Sequence, residues 1–255
     1  MFRFFISVIA VSLLIHGCSH LPVALDNYFS NGDRGPFVFV GGNCSGTLIS
    51  KNFLITAAHC MVKAEITKHK EAAPPKKSAS KKSTPKKHEI YNPKGFSGCS
   101  DMLDDLFDDY DVEVKDLFPG DTIMVKIGDN EIKTTVMYKG PDTVKNDIAI
   151  LMGNFTGYTH VNIASKEPIV NEKFYGWGFP AGLGVLTYND YVYNESKNFP
   201  FAVYTGVVCG GYSGSSIVNE DGELVSVVTR TIPTCPLVFG VKLEIIQDVL
   251  KKLGI

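Results

Sequence analysis

The sequence predicts an all-β fold of the barrel or sandwich type. Short apolar runs recur along the chain, Gly, Pro, Asn and Asp residues separate them, and only a few segments show helical spacing. A length of 255 residues, with 44% hydrophobic and 20% charged residues, is typical of a globular protein with a sizeable core. The composition therefore excludes a disordered or collagen-like chain.

Each predicted strand is a short apolar or β-branched run that ends at turn residues. Residues 128–130 and 219–222 are the clearest hairpin turns, because each combines Gly with Asn and Asp between two such runs. The predicted strands cover residues 37–40, 47–49, 53–56, 122–127, 131–138, 147–151, 173–176, 185–188, 201–208, 216–218, 224–229 and 238–242.

Three segments depart from the strand pattern. Residues 72–88 are rich in Pro, Ser and Lys, and they predict a disordered loop because they carry almost no apolar surface to bury. Two other segments have apolar residues at helical spacing, which predicts a short acidic amphipathic helix and a C-terminal helix. Their apolar residues are Met102, Leu103, Leu106, Phe107 and Tyr110 in the first, and Ile246, Val249, Leu250 and Leu253 in the second.

Two charged blocks cancel in a formal net charge of −2. Residues 63–87 hold 9 Lys and 2 Glu, and residues 101–116 hold 7 Asp, 1 Glu and 1 Lys. The basic block is typical of a solvated loop, with attraction to an anionic polymer or lipid headgroup as the alternative. No aromatic residue is interleaved in it, so specific nucleic-acid binding is not expected. The acidic block lacks the EF-hand pattern and is read as a solvated helix face.

The N-terminus has the features of an export signal. Arg3 precedes an apolar stretch, residues 4–15, which is too short to span a bilayer. The stretch ends in Ile-His-Gly-Cys, which resembles a bacterial lipoprotein box, although the histidine is an unusual occupant. We expect residues 1–18 to be a signal segment, with Cys18 as a candidate lipid anchor to a membrane. Ordinary signal-peptide cleavage, with Cys18 incidental, is the alternative.

Cysteine usage agrees with export, because an oxidising compartment permits disulfides. No pair of cysteines has the CxxC spacing of a zinc or redox site, so no metal site is predicted. Five cysteines remain after Cys18, an odd number that leaves one without a partner. They are Cys44, Cys60, Cys99, Cys209 and Cys235.

Three short motifs contain residues suited to nucleophilic catalysis. His59, in Thr-Ala-Ala-His-Cys, has the side chain best suited to exchange a proton near neutral pH. Asp147 enters an apolar run, where a buried carboxylate needs a partner such as an imidazole N–H. Ser213 follows Gly-Gly-Tyr in a turn whose N–H groups can face an oxyanion. Ser215 and the order His, Asp, Ser argue against a Gly-x-Ser-x-Gly hydrolase elbow.

These motifs, in this order, resemble those of the trypsin/chymotrypsin-like serine peptidases. The resemblance covers about residues 37–255 and includes Gly-Trp-Gly at 176–178. It implies two antiparallel six-stranded Greek-key barrels followed by a C-terminal helix. The first barrel is expected over 37–153, with a charged insertion at about 63–116, and the second barrel with the helix over 161–255.

The same resemblance assigns roles to single residues. His59 corresponds to the general base, Asp147 to the residue that orients it, and Ser213 to the nucleophile. The N–H groups of Gly211 and Ser213 correspond to the oxyanion hole, and no cofactor is implied. The disulfides implied are Cys44–Cys60 and Cys209–Cys235, while Cys99 could be a free thiol, an intermolecular bridge or a partner for Cys18.

Two departures from the family pattern are informative. Tyr212 stands where relatives that are activated by a new N-terminus have aspartate, and no processing site precedes the first strand, so we expect no such switch. Tyr212 must then hold the oxyanion loop by packing or by a hydrogen bond. The positions matching the specificity pocket, with an apolar floor at Val207 and a narrowed wall, predict cleavage after small or medium apolar residues. They are Val207, Thr229, Thr231 and Gly240.

The sequence thus predicts a monomeric, exported or lipid-anchored serine endopeptidase that acts on protein or peptide substrates. The altered residue before the nucleophile leaves one alternative open, a catalytically silent protease-fold protein with a binding or adhesion role at the cell envelope.

Overall fold

The computed structural model describes residues 35–41, 43–68, 110–141, 145–180, 186–194, 198–232 and 235–255. This part of the chain is mostly β-structure, as predicted. No helix within these ranges combines the length and the apolar character needed to cross a membrane. The signal segment, the Lys-rich run at 72–88, Cys18 and Cys99 lie outside the described residues.

Six strands close the first barrel, and hydrogen-bonded neighbours follow the order β1-β2-β3-β8-β7-β6 around it. Alternate residues face its core, as in β6, where Ile123, Val125 and Ile127 are buried between exposed neighbours. The strands are β1 (Phe37–Val40), β2 (Cys44–Leu48), β3 (Phe53–Thr56), β6 (Thr122–Ile127), β7 (Asn130–Lys139) and β8 (Ala149–Met152).

Six later strands close the second barrel in the order β10-β11-β14-β13-β12-β9. Counted within its own barrel, each set has the same cyclic order, 1-2-3-6-5-4, so the two barrels share one topology. The predicted turn at 219–222 joins β12 to β13, and the Asn219 side chain accepts hydrogen bonds from the N–H groups of Asp221 and Glu223. The strands are β9 (Lys173–Gly178), β10 (Thr187–Asn194), β11 (Ala202–Thr205), β12 (Ser216–Val218), β13 (Leu224–Ile232) and β14 (Leu237–Val241).

A two-stranded ribbon outside both barrels was not predicted. Strand β4 (Val62–Lys68) pairs antiparallel with β5 (Tyr110–Asp116) in a register that sets Val62 opposite Asp116 and Lys68 opposite Tyr110. The reading of the acidic block 101–116 as a helix face is therefore wrong over Tyr110–Asp116, because pairing with β4 satisfies this backbone in an extended conformation. The rest of the predicted helix, residues 102–109, lies outside the described residues.

Lys139 connects the base of the ribbon to the first barrel. Its Nζ donates to the Asp116 carboxylate at 2.8 Å and to the Met61 carbonyl oxygen at 3.3 Å. The same carbonyl accepts the main-chain N–H of Leu117 at 2.9 Å. The first strand of the ribbon thus begins just after the segment that contains His59. The second strand ends beside that same segment.

The predicted C-terminal helix is confirmed as α1 (Leu243–Leu253). It buries Leu243, Ile246, Val249 and Leu250 against the body. Three of these belong to the face that the helical spacing predicts, and the fourth predicted residue, Leu253, is half-buried. Gly254, at φ 71°, ends the helix, and the N–H of Ile255 donates to the Leu250 carbonyl oxygen at 3.0 Å.

The two barrels pack against each other through aromatic rings and one very close backbone approach. Phe37 stacks on Trp177 with ring centroids 5.0 Å apart, and Phe39 meets Phe179 edge-on at 5.6 Å. A Cβ on Gly214, in the second barrel, would lie 2.1 Å from both the Ser45 carbonyl oxygen and Thr56 Oγ1 in the first. Glycine is thus the only residue that lets the barrels come this close.

We expect Gly214→Ala to destabilise the protein by about 3 kcal/mol or more, because overpacking adds to the strain of alanine at φ +84°. Gly157→Ala is the matched control, since Gly157 has φ +90° but open space around its Cβ position. The control should lose only about 1–2 kcal/mol of backbone strain. Equal losses for the two variants in denaturant unfolding would show that the close approach at Gly214 is not required.

Candidate active site

Strand pairing places His59 and Asp147 at the same end of the first barrel. Strands β3 and β8 are antiparallel, with Thr56 opposite Ala149, so the residues after β3 lie beside the residues before β8. His59 lies in a 3₁₀ turn, Ala58–Cys60, which follows β3 directly. Asp147 precedes β8 by two residues and is fully buried.

One carboxylate receives both donors of the histidine. Asp147 Oδ1 accepts the main-chain N–H of His59 at 2.9 Å, and Oδ2 lies 2.7 Å from His59 Nδ1. The imidazole itself is 30% exposed, whereas the carboxylate is inaccessible. Because an ionised carboxylate only accepts hydrogen bonds, Nδ1 carries a proton and Nε2 of the neutral ring is left as an acceptor.

Ser213 lies next to this pair, in the loop that leads into β12. Its carbonyl oxygen accepts the main-chain N–H of Ser45 at 2.8 Å, and the sulfur of Cys60, the neighbour of His59, is 3.7 Å from the same oxygen. Ser213 is half-buried. Within the described ranges its hydroxyl makes no hydrogen bond to the imidazole, a bond that often forms only in the substrate complex.

The backbone of the loop before β12 leaves two donors available. Among the described residues, none accepts a hydrogen bond from the main-chain N–H of Gly211 or of Ser213. Gly211 has φ +95°, a conformation that favours glycine. Two unused N–H groups beside a serine hydroxyl can stabilise negative charge that develops on a substrate oxygen.

Tyr212 is buried in the second barrel, and its side chain fixes the position of the loop. Its hydroxyl forms a hydrogen bond with the Thr187 hydroxyl, in which either oxygen can be the donor, and it donates to the Asn189 amide oxygen at 2.6 Å in the amide orientation that satisfies both ends of Asn189. Its ring fills the space over Gly178, where a Cβ would be 2.6 Å from a ring carbon. Burial raises the pKa of Tyr212, so the hydroxyl stays neutral and can donate at neutral pH.

The structure confirms one of the two predicted disulfides. Cys44, at the start of β2, is bonded to Cys60 with a Cα–Cα distance of 6.0 Å, and this bond joins the turn that contains His59 to the neighbouring strand. Cys44 precedes Ser45, which donates to the Ser213 carbonyl oxygen, and Cys60 follows His59. The bridge therefore limits the movement of His59 relative to β2.

The second predicted disulfide, Cys209–Cys235, is not formed. The pairing of β11 with β14 brings the two segments to one end of the barrel. However, Cys235 lies in a tight turn, in which its N–H donates to Ile232 and its carbonyl oxygen accepts from Leu237 at 2.7 Å. A disulfide requires the two Cβ–S bonds to face each other, and Cys235 makes none in the described structure.

The four positions matching the specificity pocket differ in their surroundings. Val207 is 72% exposed, and Thr231 is half-buried. Thr229 is buried and donates to the Phe239 carbonyl oxygen at 3.2 Å. A Cβ on Gly240 would be 2.2 Å from Ser226 Oγ, so Gly240 permits close packing inside the barrel. Val207 and Thr231 are thus accessible to a substrate side chain, whereas Thr229 and Gly240 are packed inside the barrel.

Potential metal ligands come together at one place in the described part of the chain. Cys44, His59 and Cys60 have ligand atoms within 4.8 Å of one another. The disulfide occupies both sulfurs, so only the histidine could serve as a ligand there.

Three residues at the site were not found by sequence reasoning. Ser45, Thr187 and Asn189 all contact the loop that carries Ser213 or its neighbour Tyr212. Ser45 adjoins a motif cysteine, which was its only sequence signal. Thr187 and Asn189 carry no motif at all, because their role follows from the pairing of β10 with β9.

A family model described as a trypsin-like peptidase domain matches residues 44–227, a range that includes His59, Asp147 and Ser213. Because the match spans more than half of the chain, the protein belongs to the trypsin-like peptidase family. Its class is therefore that of the serine endopeptidases, which are hydrolases. A comparison with curated protein sequences finds no significant match.

Solved structures of serine proteases share the fold. The inactive form of the Rv3671c protease is similar over 93% of this chain and 98% of its own, at 16% identity and a TM-score of 0.54. The active form of the M. tuberculosis Rv3671c protease matches 92% of this chain and 88% of its own, at 16% identity and a TM-score of 0.55. The serine endoprotease from Yersinia pestis matches 92% and 68%, at 16% identity and a TM-score of 0.58.

We expect Tyr212→Phe to lower the free energy of unfolding by about 0.5–1.5 kcal/mol, because it removes the hydrogen bonds to the half-buried Thr187 and Asn189. Tyr191→Phe is the matched control, since the Tyr191 hydroxyl is buried but has no hydrogen-bond partner among the described residues. Tyr212→Asp should cost more, because it also removes the ring over Gly178. Unchanged stability and activity in Tyr212→Asp would show that Tyr212 does not hold the loop.

Proposed function

We propose that this protein hydrolyses peptide bonds with His59 as general base, Asp147 as its orienting partner and Ser213 as nucleophile. The observation that carries the proposal is the buried Asp147 carboxylate, which accepts from both the main-chain N–H and Nδ1 of His59. This arrangement selects the tautomer whose Nε2 can take a proton. It also stabilises the imidazolium that forms when the proton is taken.

The reaction is an acyl transfer in two stages. Ser213 Oγ attacks the substrate carbonyl carbon while His59 Nε2 removes the hydroxyl proton. The N–H groups of Gly211 and Ser213 stabilise the oxyanion, and His59 then gives the proton to the leaving amine as the C–N bond breaks. Water, deprotonated by His59, attacks the acyl group and releases Ser213 with its proton restored. No cofactor enters these steps.

No N-terminal activation step is included in the proposed function. The hydrogen bonds of Tyr212 to Thr187 and Asn189 support this, because they give the loop a fixed contact inside the second barrel. A new amine terminus would have no carboxylate to pair with at position 212. Loop order in this protein therefore depends on a neutral side chain.

We further propose cleavage after small or medium apolar residues. Val207 supplies no negative charge for a Lys or Arg side chain, and Thr231 carries a side chain where the family has glycine. The Asn189 amide donates to the Val207 carbonyl oxygen at 2.9 Å, which links this position to Tyr212. Profiling on a peptide library measures the preference, and selection of Lys or Arg would contradict the proposal.

Export, with Cys18 as a lipid anchor, completes the proposed function. The apolar N-terminal segment and the Cys44–Cys60 disulfide support it, because disulfides persist in oxidising compartments. Incorporation of a labelled fatty acid tests the anchor. The label should be lost in Cys18→Ala, and a wild-type protein that takes up none would rule the anchor out.

The triad predicts a specific pattern of labelling and turnover. A serine-directed fluorophosphonate should label the wild type and fail to label Ser213→Ala. Asp147→Asn should lower kcat by about ten-thousandfold, because an amide favours the wrong imidazole tautomer. Measured hydrolysis of a peptide substrate checks both variants.

Asp121→Asn is the control for the carboxylate substitution. Asp121 also accepts a main-chain N–H, that of Phe118 at 2.8 Å, but it is exposed and belongs to the β5–β6 connection. Its kcat should match that of the wild type. A folded wild type that neither labels nor cleaves any library peptide would instead favour the silent binding or adhesion protein.

A further inference from the structure

The loop that carries the proposed oxyanion donors is held from the first barrel by a single residue. Ser45, in β2, donates its main-chain N–H to the Ser213 carbonyl oxygen at 2.8 Å and its hydroxyl to the Gly211 carbonyl oxygen at 2.7 Å. The side chain is buried, with 1% exposed. Ser45 thus contacts the carbonyls of the same two residues whose N–H groups are left without a described partner.

A second contact fixes the direction of the Ser45 hydroxyl. Its oxygen accepts the main-chain N–H of Phe179, immediately after β9, at 2.9 Å. The carbonyl oxygen of Ser45 accepts from Thr56 Oγ1 at 2.6 Å. With its acceptor side occupied by Phe179, the hydroxyl hydrogen is directed at Gly211.

The loop needs such an external contact because its own sequence is flexible. Gly210 and Gly211 are consecutive, a Cβ on Gly210 would meet open space, and Gly211 has positive φ. Glycine loses more conformational freedom on ordering than any other residue. Tyr212 fixes one side of the loop through its side chain and through its main-chain N–H, which donates to the Cys209 carbonyl oxygen at 3.3 Å. Among the described residues, only Ser45 donates to the Gly211 carbonyl oxygen.

We propose that Ser45 is a positioning residue for the oxyanion hole: by binding the carbonyls of Gly211 and Ser213 it fixes the peptide units that follow these two residues, and so restricts the backbone rotations that decide where the N–H groups of Gly211 and Ser213 point. This inference rests on the proposed function for its catalytic consequence. The structural part, that Ser45 orders the loop, stands on the hydrogen bonds alone. Because the donors act only on the developing oxyanion, Ser45 contributes to the transition state and not to substrate binding.

The test is Ser45→Ala with a peptide that the wild type cleaves. We expect kcat to fall about tenfold to a hundredfold with KM within about twofold. A peptide aldehyde of the same sequence forms a tetrahedral adduct with Ser213, so its inhibition constant should rise by the same factor as kcat falls. Ser45→Thr, which keeps the hydroxyl, should retain most of the wild-type kcat.

Thr134→Val is the control for the loss of a buried hydroxyl. Thr134 is as buried as Ser45 and donates to the Ile123 carbonyl oxygen at 2.8 Å, in the same barrel but between β6 and β7. It should lower the melting temperature without changing kcat. An unchanged kcat and aldehyde affinity in Ser45→Ala would overturn the proposal, as would equal losses in the Ala and Thr variants.

Amide hydrogen exchange separates this inference from the proposed function. Peptides that span residues 209–215 should exchange faster in Ser45→Ala than in the wild type, and Thr134→Val should leave their exchange unchanged. Unchanged exchange in Ser45→Ala would overturn the structural part even in a protein without turnover. A wild type with no Ser213-dependent turnover would refute the proposed function, and with it the catalytic consequence of Ser45.

Discussion

The buried carboxylate of Asp147 is the interaction on which the rest of the site depends. An ionised group without solvent is costly unless hydrogen bonds satisfy it, and the turn after β3 supplies two from His59. The β3–β8 ladder brings the turn and the carboxylate together, and the Cys44–Cys60 bond fixes the turn to β2. The imidazole is thereby oriented before any substrate arrives.

The complete site also requires the two barrels to be docked, because the first supplies the base and the second the serine. The barrels approach each other very closely at Gly214, next to Ser213, where a Cβ would clash with Ser45 and Thr56. A substitution that weakens the packing between the barrels therefore also displaces the serine from the base. Aromatic stacking between Phe37 and Trp177 supplies apolar contact to this interface.

The sequence predicted those secondary-structure elements that depend on residues close together along the chain. The alternation of apolar residues gave most strands, and the helical spacing near Val249 gave α1. The ribbon was missed because β5 is a short run, with Val112 and Val114 between charged residues, whose partner strand lies far along the chain. Ser45 and Asn189 were missed for a related reason, since their hydrogen bonds join residues that become neighbours only when the barrels close.

The ribbon has a consequence for the architecture of the charged insertion. Its strands pair from Val62 opposite Asp116, so the excursion leaves and re-enters the barrel at adjacent points. A chain whose two ends are already joined by a ladder adds almost no closure entropy to the barrel when its length changes. The segment beyond the ribbon can thus lengthen, shorten or change its charge during evolution while the hydrolytic scaffold beneath it stays the same.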